Sequence, residues 1–533
     1  MKRYGQRAVL VWALSWLAAC APMKRAAVEP AGPPPIDWES KIGEADALYA
    51  RGHYTAIKDA LRIYGDALEV PVRRAAVAEK YVRSAIALGL REKELGVLAP
   101  VTGMGGIMTG TDGLADFVAG EPSLAAYASW LELLAGLPNK IKGKPGDVET
   151  GGRTLEAQLD WVNASVSDLD REIGERAQTD DLAAALRLAL RAAFVYKFQD
   201  KLAPGIYADL HPGSRLAAFQ TAVSPSLEAD RIEALLALDP EFSEIHYYLG
   251  EVALLGGALL TAERHYLAVH DKIPESLSVL ISLAKVAFQM EETENCLGYD
   301  EKALALLPTY RDALLGRGLC LGYLGRNDEA LTVLARLLEL GSYYMGEAHF
   351  WTAWNLNELG RLEEARRAIE SAKVFLVGVS DVTALSGIIA YRQGRLDDAE
   401  KDLRASLDIE PSGSDAAYYL GRLYADRSEW LNSGVYFAGA AFSFEEKERG
   451  MEKKIEEIEA SEMTPERKAR MVVKKRVQIL SVQATKATCQ YNGAAGFHNA
   501  GVFERALDLA HLAAAHPAFA DKAAELIKLI RDR

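Results

Sequence analysis

Residues 243–276 read SEIHYYLGEVALLGGALLTAERHYLAVHDKIPES. Within this 34-residue stretch Tyr247, Leu249, Gly250, Gly257, Ala262, Tyr266, Val269 and Pro274 fall at positions 5, 7, 8, 15, 20, 24, 27 and 32. Small residues at 8 and 20 let two amphipathic helices cross closely, and larger apolar residues fill the space around the crossing. Gly257 suits a turn between the two helices, and Pro274 ends the unit.

The pattern recurs in nearly fixed phase. Leu283, Ala284, Ala303 and Pro308 mark a second unit, with departures at Glu291 (position 15) and Cys296 (position 20). Gly318, Gly325 and Ala330 mark a third. Ala353, Gly360, Ala365 and Ile369 mark a fourth, one residue late. Gly387, Gly394, Ala399, Leu403 and Pro411 mark a fifth. Leu420, Gly421, Tyr424, Phe437 and Ala440 mark a sixth, with Ser433 at the crossing. Small residues held in register over this length indicate a repeat array.

This spacing resembles the tetratricopeptide repeat family. The resemblance implies an all-α fold, a right-handed superhelical solenoid of helical hairpins. In that family the first helix of each unit lines a concave wall through positions 2, 5, 9, 12 and 13. Carried onto this chain, the wall comprises Tyr247 and Glu251, Ile281 and Lys285, Leu319 and Tyr323, and Phe350, Trp354 and Asn357. It continues through Asp381, Ile388, Tyr391 and Arg392, then Tyr418, Arg422 and Asp426. Aromatic side chains and arginine dominate interface energetics. The expected groove residues are therefore Tyr247, Tyr323, Phe350, Trp354, Tyr391, Arg392, Tyr418 and Arg422, which would suit an extended or helical partner segment. The alternative for each is packing between neighbouring repeats. The lysine set with which some members clamp acidic C-terminal tails is absent.

Six segments organise the chain: 1–19, 20–36, 37–224, 225–443, 444–482 and 483–533. Residues 37–70 read as a helical hairpin whose ARGHYTAI (50–57) resembles the family's turn. The rest of 71–224 is irregular, with helical periodicity at 71–98, 123–136, 154–173 and 180–199. After the six repeats, residues 444–480 are acidic and then basic (ERKARMVVKKR, 466–476). Two helices of opposite charge are expected there as a hairpin, with Thr464 before Pro465 starting the second. A last hairpin over 483–516 and a capping helix over 519–531 complete the array.

The first segment is not fold. Lys2, Arg3 and Arg7 precede an apolar run, Ala8 to Ala19, too short to span a bilayer comfortably. It ends Leu17-Ala18-Ala19-Cys20, which resembles the lipobox of bacterial lipoprotein precursors. The resemblance implies cleavage before Cys20 and acylation of that residue, with palmitate-type chains as the anchor. Ala21, where aspartate often retains such proteins at the inner membrane, implies the outer membrane. The sequence APMKRAAVEPAGPPPI (21–36) reads as a flexible tether, and the body is expected in the periplasm.

Chemistry is not signalled. The net charge of -14 disfavours nucleic acid and anionic lipid as partners. No histidine or cysteine spacing matches a zinc site, including His246, His265 and His270 in the first repeat. The glycine-rich TGMGGIMTGTDG (102–113) lacks the lysine and spacing of a phosphate loop. No nucleophile elbow occurs. No catalytic, metal or cofactor residue is therefore expected. The leading expectation is a non-enzymatic scaffold holding other envelope proteins. The layout is similar to that of proteobacterial outer-membrane lipoproteins of this repeat type, among them parts of pilus, outer-membrane insertion and myxobacterial gliding-motility complexes. Two alternatives stand beside it: a periplasmic ligand-binding or transport-accessory protein using 71–224, and an enzyme with an unrecognised site.

Overall fold

The computed structural model describes residues 36–97, 110–131, 176, 182–186, 214–223, 229–341 and 345–532. Cys20 with its leader and tether, most of the glycine-rich stretch and nearly all of 132–213 lie outside the described residues. The described residues contain no strand, and one isolated bridge joins Val97 to Ser276.

Four hairpins of the array turn on one close approach. A Cβ on Gly250 would lie 2.5 Å from the ring of Tyr266, sixteen residues on. The same clash would arise at Gly318 against Leu334 (2.7 Å), Gly387 against Leu403 (2.6 Å) and Gly421 against Phe437 (2.8 Å). A large side chain of the second helix thus lies flat on the bare backbone of the first. The helices follow: α1 (Trp38–Arg51), α2 (Tyr54–Leu68), α3 (Arg74–Leu95), α4 (Gly110–Gly120), α5 (Arg215–Val223) and α6 (Ala229–Leu238). The repeats are α7 (Glu244–Leu255) with α8 (Leu259–His270), α9 (Leu277–Gln289) with α10 (Thr293–Leu306), and α11 (Arg311–Tyr323) with α12 (Asn327–Leu340). They continue as α13 (Met345–Glu358) with α14 (Leu362–Phe375), α15 (Ser380–Arg392) with α16 (Leu396–Ile409), and α17 (Ser414–Asp426) with α18 (Trp430–Ala460). Then come α19 (Pro465–Asn499), α20 (Phe503–Ala514) and α21 (Ala520–Arg531). At the sixth crossing Ser433 is buried and its hydroxyl donates to the carbonyl of Gly421 at 2.9 Å, so the departure from alanine is satisfied within the hairpin.

The N-terminal helices and the array share one hydrophobic core, which runs from Ala45 to Met290. At its centre sits Arg91 of α3, fully buried between Glu94 and Glu244 and facing the rings of Phe219 and Phe242. Glu244 also accepts from the backbone N–H of Tyr54, and Tyr248 donates to Glu94. The two terminal nitrogens of Arg91 are paired while its Nε has no partner among the described residues, and removal of one partner from such a buried ion pair costs about 3–5 kcal/mol. Nearby, Arg51 grips buried Asp239 with two bonds of 2.9 and 2.6 Å.

Helices α18 and α19 are 31 and 35 residues long and run unbroken out of the array as an arm. Thr464 caps α19 by accepting from Arg467 N–H at 3.3 Å, with Pro465 in the first turn. The arm's tip returns to the first two repeats. Arg467 binds Glu263 at 2.7 and 2.9 Å and Glu292 at 2.6 Å. Lys475 binds Glu291 at 2.5 Å, Gln478 binds it at 2.9 Å, and Lys474 donates to its carbonyl. Glu291 explains its own departure from the repeat. The turn position is left-handed in Gly257, Gly325, Gly360 and Gly394, and Glu291 adopts it too, at φ 61°. That conformation costs a non-glycine residue roughly 1–2 kcal/mol. The carboxylate so placed receives the basic helix.

In the first repeat His246 of α7 and His265 of α8 meet, Nδ1 to Nδ1, at 2.9 Å with rings stacked. One ring must donate and the other accept, so the contact needs at least one neutral imidazole. Burial lowers both below the ordinary 6.5, and His265 is lowered further by His246 and Arg264. The folded state then binds fewer protons than the unfolded state just below that value, and stability is lost as pH falls through the window.

Three variants test this packing. Gly387→Val should lower stability by about 1–3 kcal/mol through overpacking, whereas Gly298→Ala, where nothing lies within 4 Å, should raise it by about 0.5–1 kcal/mol; urea unfolding checks both. The drop in melting temperature between about pH 7 and pH 5 should be smaller in His246→Asn than in the parent chain. An equal drop would show that the histidine pair does not carry it.

Candidate protein-binding wall

The first helices of the six repeats, α7, α9, α11, α13, α15 and α17, carry the expected groove residues. In the middle of the row Tyr323 remains 57% exposed although three rings touch it. Phe288 lies 5.3 Å away, Trp351 5.5 Å and Trp354 6.0 Å, the last stacked. Phe350 meets Trp351 edge-on at 5.3 Å. Phe350 and Trp354 are half-buried and pack on the apolar cluster of Ala353, Leu356 and Ile369. They therefore fill the joint between repeats with one side and present an edge with the other. Rings held this way lose little freedom when a partner arrives.

A second set lies on α15 and α17. The guanidinium of Arg422 sits over Tyr391 (5.2 Å), Tyr419 (5.8 Å) and Tyr418 (5.9 Å). Tyr391 donates to Asp426 at 2.6 Å. Burial, and then this bond, push its hydroxyl up to about 12, so it stays a donor. Arg392 donates to the carbonyl and side-chain oxygens of Asn357 at 2.5 and 2.7 Å, tying the fifth repeat to the fourth. Between them is a cleft of about 590 Å³ lined by Leu362, Tyr391, Arg392, Gly394, Leu396, Tyr419, Arg422 and Asp426. Arg422 and Arg392 are both exposed.

Tyr247 departs from the expected row. It is half-buried against Tyr248 (5.3 Å) and Tyr266 (5.9 Å) and belongs with the shared core. Burial, with Glu251 beside it, holds its hydroxyl above the ordinary tyrosine range. Three contributors were not singled out from sequence. Phe288 stands at position 12 of its repeat, a wall position, so the frame already marked it. Trp351 and Tyr419 sit beside Phe350 and Tyr418, and only their aromatic character signals them.

The cysteines among the described residues are not reactive groups. Cys296 of α10 and Cys320 of α11 form a disulfide, with buried Asp300 near them. Burial, and next Asp312, hold the Asp300 carboxyl well above the usual range. Sulfurs joined to each other are neither nucleophile nor thiolate ligand. Cys489 is buried, and burial pushes its thiol up to about 12, which removes the thiolate that reactivity needs. The disulfide was not anticipated: the two cysteines are 24 residues apart, on helices of different repeats.

Residues 229–276, 315–374 and 385–441 match the tetratricopeptide repeat family model. No curated protein matches the chain. Among solved structures, MamA is 20% identical over 32% of this chain and 94% of its own, with a TM-score of 0.29. YrrB, described as a TPR protein with an unusual peptide-binding site, is 20% identical over 33% of this chain and 91% of its own, with a TM-score of 0.28. A tetratricopeptide repeat protein from Parabacteroides merdae ATCC 43184 is 16% identical over 54% of this chain and 98% of its own, with a TM-score of 0.34. Over the three matched stretches this chain carries tetratricopeptide repeats, arranged as a solenoid of helical hairpins.

Proposed function

We propose that the chain is a non-enzymatic scaffold of the bacterial envelope. Lipid on Cys20 holds it at the outer membrane, and its repeat wall grips segments of other proteins in an envelope-spanning complex such as a motility or secretion machine. The observation that carries this proposal is the row of preformed aromatic contacts on the first helices. Tyr323 is exposed within a cluster of rings, and Arg422 is exposed over three tyrosines. Such anchors lose little entropy on binding and dominate the energy of an interface. A partner segment laid along the row would meet aromatic surface in the middle repeats and arginine at the later ones.

Support for export comes from two places. The first twenty residues combine basic charge, a short apolar run and a small-residue approach to Cys20. The Cys296–Cys320 disulfide is of a kind that oxidising compartments preserve. Among the described residues no helix is long and apolar enough to cross a membrane.

Crosslinking of native cells, followed by affinity capture and mass spectrometry, tests the scaffold. Stoichiometric envelope proteins should accompany the parent chain. Trp354→Ala with Arg422→Glu should reduce their recovery by roughly tenfold or more, as loss of a hot spot of about 2 kcal/mol implies. Cys20→Ser should move the chain out of the membrane fraction without weakening partner binding in solution. Recovery of the chain alone, or an unchanged set of partners with the wall variant, would contradict the proposal.

A further inference from the structure

The arm carries an apolar row that nothing among the described residues covers. Val473, Val477 and Leu480 of α19 are 62%, 61% and 65% exposed, and half-buried Ala484 continues the line. Steps of four, three and four residues are the spacing of a coiled-coil seam. Over these residues the row is roughly 16 Å long at the helical rise. The helix already has an apolar side: Val472 and Ile479, on the face toward α18, are buried. A surface helix with a second apolar stripe facing water has room for a further neighbour.

Charge narrows what that neighbour is. Lys474 and Arg476 stand at the positions that flank the seam, and Arg470 stands at its head. Arg470 and Arg476 make no ion pair among the described residues, while Lys474 donates to the Glu291 carbonyl. We propose that this face of α19 docks an amphipathic helix of another protein, apolar at its seam and acidic at its flanks, as a third helix of the arm. Flanking charges of opposite sign set partner choice in such bundles.

Two other occupants fit worse. An anionic lipid surface would also meet α18, where six exposed glutamates between 445 and 459 outnumber four exposed lysines and arginines and would repel it. A second copy would offer either α18, whose exposed row of Leu431, Val435 and Phe442 has no acidic residue flanking it between 430 and 442, or its own α19, which brings arginine against arginine. The docking face is separate from the repeat wall, so it gives the scaffold a second, independent attachment.

Fluorescence anisotropy of the purified full chain with a labelled, designed 21-residue helix tests this. The peptide carries leucine at the seam and glutamate at the flanks; a scrambled peptide of the same composition is the control. The designed helix should bind, more weakly as salt rises. Val473→Ser with Val477→Ser and Leu480→Ser should weaken binding at least tenfold, and Arg470→Glu with Arg476→Glu should do the same. Trp354→Ala should leave it unchanged, which separates failure here from failure of the wall. The serine variant changes exposed positions only, and an unchanged melting temperature would confirm that the arm is intact. The proposal is overturned if the designed helix does not bind, if the scrambled peptide binds equally, or if the serine variant binds as the parent does. It is also overturned if the row instead drives self-association in sedimentation, or binding to phosphatidylglycerol vesicles, that the serine variant abolishes.

Discussion

Two helices of a hairpin approach only as near as the smallest residue at their crossing allows. Here that limit is set by pairs sixteen residues apart, glycine on the first helix under a large side chain on the second: Gly250 under Tyr266, Gly318 under Leu334, Gly387 under Leu403 and Gly421 under Phe437. The fourth repeat uses Ala353 with Ile369, both buried. Every other feature depends on this contact. It fixes the hairpin, the hairpin fixes the outward side of the first helix, and a row of first helices makes a wall. Buried area supplies the energy, but the small residue decides the geometry in which that area is buried.

This division explains what could be read in the sequence. The repeat frame, its turns and the capped start of α19 at Thr464 are local, so spacing reveals them. Contacts between distant repeats are not local. Arg467 reaches Glu263 and Glu292, and nothing at those three positions announces the pairing. Glu291 is instructive because the frame marks it as a departure without giving the reason. The reason is a basic helix more than 180 residues on, which occupies the carboxylate that a strained turn presents. The Cys296–Cys320 disulfide was hidden for the same cause.

The wall was partly legible. Position numbers brought out Tyr323, Phe350, Trp354, Tyr391, Tyr418, Arg392 and Arg422, and the structure gathers them with their unassigned neighbours Phe288, Trp351 and Tyr419. Position alone did not separate Tyr247, because the first repeat is packed against α3 and α5 by the Arg91 cluster, and its outward tyrosine is drawn into that core. A wall position faces solvent only where no neighbouring element covers it, and that is a property of the assembled chain.

The central claim is that the first-helix row, and not the second-helix side, meets partner proteins. A photo-crosslinking amino acid placed at Tyr323 on α11, and separately at exposed Lys401 on α16, tests this in living cells. Adducts to another protein should form from position 323 and not from position 401. Adducts from position 401 alone, or from neither, would contradict it.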